Sequence, residues 1–212
     1  MSRFLPVLAF AFFSCQQAPE DLQAYYESEG DRLEEATKHV RKAYTFEAFI
    51  AHADYRETRD IWRGAALDSY APTRSHVEIL LQEQRGRLYI NGMIAMDFPI
   101  CSGRVGGQET PEGEFRITQK VKEYRSNRYG SFMSRDGSKV VKRNVSVNDT
   151  PPDGAVFEGA DMPFWMRFNG PIGMHVGNVH RYSASHGCVR VPEEACSILY
   201  EKLGVGSRVI VK

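Results

Sequence analysis

The residues of this chain that are best suited to chemistry lie near its C-terminal end. Residues 185–190 read SHGCVR, and His175 precedes Cys188 by thirteen positions. A thiolate can attack a carbonyl while an imidazole accepts and returns the proton, and the amides of Gly187 and Cys188 could hold an oxyanion. An isolated cysteine is more often a buried structural thiol. Here Gly187 permits unusual backbone geometry, and the imidazoles of His175 and His186 could stabilise a thiolate. We therefore predict that Cys188 is a nucleophile.

The other polar residues of this segment favour supporting roles. We expect Ser185 to form hydrogen bonds within the loop, and His186 to shape the loop or to line the cleft. Four side chains could offer zinc nitrogen and sulfur ligands: His175, His180, His186 and Cys188. Their spacing fits no common zinc pattern, so we predict no metal site. A papain-like hydrolase is also disfavoured, because there the cysteine precedes the histidine in the chain.

The segments around these residues have the pattern of a mainly β domain. Apolar residues alternate with others through 77–81, and Asn91 with Gly92 is typical of a type I′ hairpin turn. The sequence 110–113, TPEG, is typical of a turn before a strand. Strands are predicted over 77–81, 87–90, 93–100, 114–119, 162–168 and 209–211.

Two further segments complete this domain. Residues 120–155 are polar and lack a clear period, so we interpret them as a long excursion that could form a flap over the cleft. A helix is predicted from Pro192 to about Leu203, because proline and acidic residues suit the first turn and Gly204 suits the stop.

Composition excludes some classes of partner. The 212 residues carry 27 basic and 27 acidic side chains, so the formal net charge is zero. No overall field draws the chain to nucleic acid or to anionic lipid, and we predict no nucleic-acid partner. The substrate must therefore be recognised by local contacts in a cleft.

The N-terminal third differs from the rest of the chain. Arg3 and the apolar run 4–13 have the pattern of an export signal over 1–14, with a run too short to span a bilayer. Residues 15–72 then predict a helical arm or linker, in which one apolar stripe belongs to a helix beginning near Asp31. The stripe consists of Leu33, Ala36, Val40 and Ala43.

The motifs together resemble the L,D-transpeptidases, the YkuD-type enzymes of the bacterial cell wall. The resemblance is carried by 175–177 (HVG) and 184–192 (ASHGCVRVP), which look like the catalytic signature of that family. Upstream segments resemble its opening strands, its T-P-x-G-x-F turn and the segment that leads to its catalytic histidine. These segments are 77–81, 87–92, 98–103, 110–115 and 162–168.

This resemblance implies a β-sandwich-like YkuD catalytic domain over 73–212, mainly β with some α, preceded by the helical arm. It also implies that His175 is the base and that Cys188 attacks the third residue of a peptidoglycan tetrapeptide stem. D-alanine would leave, and a thioester would remain on the enzyme. Arg190 could pair with a stem carboxylate or simply hold the loop. The chemistry needs no cofactor.

The acceptor stays open at this stage. A stem amine would give a cross-link, a protein lysine would give an anchored protein, and water would make the enzyme an L,D-carboxypeptidase. The alternative from another class is an inactive wall-binding lipoprotein, against which the intact His175, Gly187 and Cys188 argue.

Ser14 and Cys15 stand where a signal peptide is cleaved, and they look like a bacterial lipobox. We expect Cys15 to be the lipidated first residue of an exported protein, periplasmic or in the cell envelope, with this anchor as its only membrane contact. The alternative is an ordinary cleaved signal with Cys15 incidental. Export favours disulfide formation, so Cys101 and Cys196 could pair, or they could be two buried thiols.

Overall fold

The computed structural model describes residues 61–62, 67, 74–180 and 182–212. The predicted signal segment, Cys15 and the amphipathic helix near Asp31 lie outside the described residues. The described part of the chain is mainly β with a C-terminal helix, as predicted. Within this part, no helix has the length and apolar character needed to cross a membrane.

The first sheet contains both ends of the described domain. Its strands are β1 (Ile61–Trp62), β2 (Ser75–Leu80), β3 (Arg85–Ile90), β4 (Met93–Pro99), β5 (Gly113–Arg116) and β13 (Arg208–Val211). The strand order is β1-β4-β3-β2-β13-β5, and β13 runs parallel to β2. Asn91 and Gly92 have φ angles of 54° and 78°, so the predicted hairpin between β3 and β4 is confirmed.

The second sheet carries the residues predicted to do chemistry. Its strands are β6 (Gln119–Val121), β10 (Trp165–Asn169), β11 (Ile172–Val176) and β12 (Val189–Val191), in the order β12-β11-β10-β6. Strands β10 and β11 form an antiparallel pair, whereas β11 and β12 are parallel. The two catalytic candidates, His175 and Cys188, therefore belong to neighbouring strands or their immediate ends.

The single strand predicted over 114–119 is wrong, because the chain changes sheets within it. The Ile117 amide donates to the Ser207 carbonyl beside the first sheet (2.9 Å), and the next amide, that of Thr118, donates to the Arg167 carbonyl in the second (2.8 Å). Strand β5 therefore belongs to one sheet and β6 to the other. Ile117 is buried at the crossing point and holds it against the core.

A third sheet occupies most of the segment interpreted as a long excursion. It consists of β7 (Arg125–Ser134), β8 (Val140–Ser146) and β9 (Ala155–Asp161), in the order β8-β7-β9. The prediction missed these strands because the sheet has little apolar alternation: in β7 and β8 only Phe132 and Val145 are buried. We call β7, β8 and β9 the flap sheet.

Side chains from the first two sheets and from helix α1 (Glu193–Lys202) form one hydrophobic core. The helix is the predicted one, and its C-cap is Leu203. Because apolar burial drives folding, this shared core fixes the sheets against each other. Its members include Val77, Ile79, Leu88, Met96 and Phe98 from the first sheet, Met166, Phe168, Met174, Val189 and Val191 from the second, and Ala195, Cys196 and Leu199 from the helix.

Candidate active site

A cleft of about 400 Å³ opens between the second sheet and the flap sheet. It brings together five of the residues singled out in the sequence: His175, Ser185, His186, Cys188 and Arg190. Gly187 lies in the same loop, between two of the lining residues. The flap sheet contributes residues to the opposite wall, including Tyr129, Arg143 and Asp161.

The register of the parallel strands places Cys188 beside the chain that carries His175. Val189 pairs with Met174 and Arg190 with His175, and Cys188 immediately precedes this ladder. The Gly173 amide donates to the Cys188 sulfur, and the thiol lies 4.0 Å from the Pro171 carbonyl oxygen. The thiol and the imidazole, thirteen positions apart in sequence, therefore both lie at the β11–β12 pair.

Burial raises the pKa of the Cys188 thiol above its ordinary value. Two effects oppose this shift without cancelling it: the hydrogen bond from the Gly173 amide and the positive charge of Arg190. The thiol is therefore protonated at neutral pH. The expectation that two imidazoles stabilise a resting thiolate is not met by this geometry, and a nucleophilic role for Cys188 would require a base.

His175 has the properties of such a base. Its Nδ1 lies 2.7 Å from the Val176 carbonyl oxygen, and since a carbonyl only accepts, Nδ1 carries the proton and Nε2 has a free lone pair. Burial lowers the pKa of His175 to about 4, and the charge of Arg190 acts in the same direction. The imidazole is neutral at neutral pH, so the lone pair of its Nε2 is available to accept a proton.

Ser185 organises the loop that presents Cys188. Its Oγ accepts a hydrogen bond from the Gly187 amide at 3.1 Å and donates one to the Cys188 carbonyl oxygen. The Gly187 amide, which the sequence suggested as an oxyanion donor, thus has a partner within the loop and would have to exchange it for an oxyanion. Gly187 has a φ angle of 113°, which residues with a side chain rarely adopt.

Thr110 is a positioning residue that sequence reasoning assigned only to a turn. Its buried hydroxyl accepts the Gly103 amide at 2.9 Å and donates to the Gly187 carbonyl oxygen at 2.8 Å. It thereby ties the T-P-x-G-x-F turn to the loop of Cys188 across 77 positions of sequence. The threonine that opens this motif was the available signal, but its partner could not be read from spacing.

Arg190 contacts Cys101 through its backbone and Gly177 through its side chain. Its backbone exchanges two hydrogen bonds of 3.0 Å with Cys101, on the side away from β11. Its side chain crosses Gly177, where a Cβ atom would lie only 3.0–3.2 Å from the Arg190 carbons. The glycine of the His-x-Gly motif therefore leaves the space through which the arginine reaches the cleft.

Aromatic stacking joins the flap sheet to the loop of Cys188. The rings of Tyr129, from β7, and His186 stack with centroids 4.3 Å apart. Tyr124 stacks similarly on Trp165 of β10, with centroids 4.9 Å apart. Burial lowers the pKa of His186, and the charges of Arg104 and Arg190 reinforce this shift, so the imidazole stacks in its neutral form.

Cys101 and Cys196 are free, buried thiols, so of the two alternatives left open for them the structure favours the unpaired one. Burial raises the pKa of Cys196 to about 12. His180 stacks on Tyr182 and does not line the cleft. Among the described residues, no group of three or more histidine, cysteine, aspartate or glutamate side chains is arranged to hold a metal ion.

Two β-sheets share one core, and their cleft contains a histidine on one strand and a cysteine immediately before the adjacent parallel strand. Together these features define a class of β-sandwich-like catalytic domain. The family model described as the L,D-transpeptidase catalytic domain, YkuD, matches residues 74–211. This chain belongs to that family.

Solved structures of L,D-transpeptidases are similar to this chain. An L,D-transpeptidase from Mycobacterium smegmatis is similar with a TM-score of 0.50 and 16% identity, over 66% of this chain and 58% of that one. An L,D-transpeptidase from Stackebrandtia nassauensis is similar with a TM-score of 0.48 and 22% identity, over 68% and 57%. The chain therefore spans less than two thirds of the length of either. No curated protein is similar enough in sequence to count as a match.

Proposed function

We propose that this protein is a peptidoglycan L,D-transpeptidase in which Cys188 forms a thioester with a tetrapeptide stem. The observation that carries the proposal is that Cys188 and His175 line the same cleft, within a domain of the L,D-transpeptidase family. Family membership supports a stem peptide as the substrate. The neutral states of the thiol and the imidazole support attack assisted by a general base.

The first half-reaction transfers the stem to the enzyme. As the Cys188 sulfur bonds to the carbonyl carbon of the third stem residue, its proton passes to Nε2 of His175. The Val176 carbonyl accepts a hydrogen bond from Nδ1–H of His175 and so favours the imidazolium that forms. When the carbon–nitrogen bond breaks, His175 returns the proton to the amine of the departing D-alanine, and a thioester remains.

The tetrahedral intermediate carries a negative charge that needs hydrogen-bond donors. The Cys188 amide is the first candidate, and the Gly187 amide is the second once it leaves Ser185. Each donor of this kind contributes on the order of 3 kcal/mol of barrier reduction. Arg190 adds a positive charge on the same side of the cleft and is suited to pair with a stem carboxylate, while His186 and Ser185 shape the surface that the stem contacts.

The second half-reaction resolves the thioester with an amine. His175 takes a proton from the attacking amine, the new amide bond forms, and the Cys188 thiolate leaves and recovers its proton. The acceptor is an amine of another stem, which gives a cross-link, or a lysine of a protein. Neither half-reaction requires a cofactor.

Incubation of the protein with purified muropeptides, followed by mass spectrometry of the products, tests this proposal. Release of D-alanine with formation of a cross-linked dimer supports transfer. Tripeptide products without dimers would make the enzyme an L,D-carboxypeptidase. Binding of stems without release of D-alanine would instead support an inactive wall-binding protein.

We further propose that the protein is exported and carries lipid on Cys15, which would hold the catalytic domain in the cell envelope. The apolar run 4–13 directly before Ser14 and Cys15 supports this. Several acyl chains anchor strongly, whereas one binds only marginally. Fractionation should find the wild type with membranes and Cys15→Ala in the soluble fraction. Equal solubility of the two proteins would refute the anchor and leave the catalytic proposal untouched.

A further inference from the structure

Positive charge dominates the cleft. Four arginines line it, and of the described lining residues Asp161 alone is acidic: the arginines are Arg128, Arg143, Arg167 and Arg190. The Asp161 carboxylate lies 2.8 Å from Arg125 outside the lining, so its charge is already compensated. None of the four arginines forms an ion pair within the described part of the chain. Such a cleft suits an acidic ligand.

Of these four arginines, Arg167 is the one on β10, the strand that pairs with β11. Met166 and Phe168 point into the core, so Arg167 and Trp165 share the opposite, cleft-facing side of β10. Arg167 pairs across the strands with Gly173, whose amide donates to the Cys188 sulfur. Directly paired residues have Cα atoms about 4.5–5.5 Å apart, well within the reach of an arginine side chain.

The Arg167 side chain has a donor that the protein leaves unused. Its Nε is buried and has no hydrogen-bond partner, while its guanidinium lies 5.9 Å from the centre of the Trp165 ring. The strand itself is fixed, because the Arg167 carbonyl accepts the Thr118 amide at 2.8 Å. A buried N–H without a partner is uncommon in folded proteins and is expected where a ligand supplies the acceptor.

We infer that Arg167 is a specificity-determining residue that binds a carboxylate of the stem peptide. Nε and one Nη of a guanidinium match the two oxygens of a carboxylate, a geometry that lysine cannot reproduce. The inference rests on the proposed function. Near the attacked carbonyl, two carboxylates can supply the ligand: the terminal one of D-alanine, and the side-chain one of a third residue that is a diamino dicarboxylic acid.

Binding to the inactive Cys188→Ala protein tests this inference without requiring turnover. Three synthetic tetrapeptides are compared by calorimetry: the parent with both carboxylates free, its terminal carboxamide and its side-chain carboxamide. The parent should bind about ten- to a hundred-fold more tightly than one of the two carboxamides, and that carboxamide identifies the partner. In Cys188→Ala/Arg167→Gln this preference should fall to within about twofold.

Two further variants control for charge and for folding. Arg116→Gln removes the same charge from an exposed position outside the cleft, and the preference should survive it. Arg167→Lys retains the charge without the planar guanidinium. The logarithm of the affinity ratio between the parent and the carboxamide should therefore fall by at least about half. If thermal melting shows that Arg167→Gln does not fold, Arg167→Lys alone tests the inference.

Equal affinity of the parent and both carboxamides would overturn the inference. A preference that persists in both Arg167 variants would overturn it as well. Release of D-alanine from the parent by the wild-type protein is scored separately. Its absence counts against the proposed function, and it does not alter what the binding data say about Arg167.

Discussion

Cys188 and Cys196 are two thiols only eight positions apart, yet they lie in very different surroundings. Cys196 belongs to α1 and is fully buried in the core, 3.9 Å from the Phe164 carbonyl oxygen. Cys188 borders the cleft and receives the Gly173 amide. Burial raises the pKa of both thiols, so neither is a resting thiolate. The difference is that Cys188 lines the cleft, together with the positive charge of Arg190 and the imidazole of His175.

The largest difference between the two thiols is expected when each cysteine is replaced separately. Cys188→Ala and Cys188→Ser should lower the rate of D-alanine release a thousand-fold or more, roughly, because a hydroxyl is a far poorer nucleophile at this site. Cys196→Ala should retain activity within about twofold and lose about 1 kcal/mol of stability. Comparable rates for Cys188→Ala and the wild type would refute the assignment.

Removal of the base should have nearly as large an effect. His175→Ala should lower kcat about a hundred-fold or more, since the protonated thiol then lacks a proton acceptor. The double variant with Cys188→Ala should be no slower than Cys188→Ala alone, because the two side chains act as a unit. Multiplication of the two losses in the double variant would show that they act independently.

Stability against pH tests whether His175 is neutral. Its pKa is lowered from 6.5 to about 4 in the folded protein, so the unfolded chain binds a proton between these values that the folded chain does not. The stabilisation is present above pH 6.5 and is lost as the pH falls towards 4, by about 3 kcal/mol. The free energy of unfolding is measured with denaturant at both ends of this pH range, for the wild type and for His175→Gln. Its fall from the upper to the lower pH should be larger in the wild type by that amount. Parallel pH dependences would contradict a depressed pKa.

The smallest expected effect concerns the loop that presents Cys188. Thr110→Val keeps the shape of the side chain but removes its hydrogen bonds to Gly103 and Gly187. The loss of a buried hydroxyl partner should cost about 1–3 kcal/mol of stability, and kcat should fall about tenfold with little change in KM. Thr118→Val, at an exposed hydroxyl, is the matched control. Identical kcat for both variants would remove Thr110 from the positioning role.

Local signals accounted for the parts of the fold that sequence could predict. Asn91 and Gly92 specify their own turn, and the helix after Pro192 has its start and stop signals within a few positions. The change of sheet at Ile117 depends instead on carbonyls of Ser207 and Arg167, which are distant in sequence. No local pattern encodes such partners.

The candidate site shows the same division. Cys188 and His175 were predicted from residue type and motif, and both line the cleft. The stacking of Tyr129 on His186 was not predicted, because the flap sheet buries too few apolar side chains to reveal a strand period. The neutral state of the thiol and imidazole was also beyond the sequence, since it depends on how deeply each group is buried.

The most direct test of the central claim is to locate the acyl group during turnover. The protein is incubated with the tetrapeptide stem, quenched in acid and digested, and the peptides are mapped by mass spectrometry. We predict that the fragment containing Cys188 gains the mass of the stem acyl group without D-alanine, and that hydroxylamine removes this gain. An adduct on Cys101 or Cys196, or release of D-alanine by a protein that never acylates Cys188, would contradict the account.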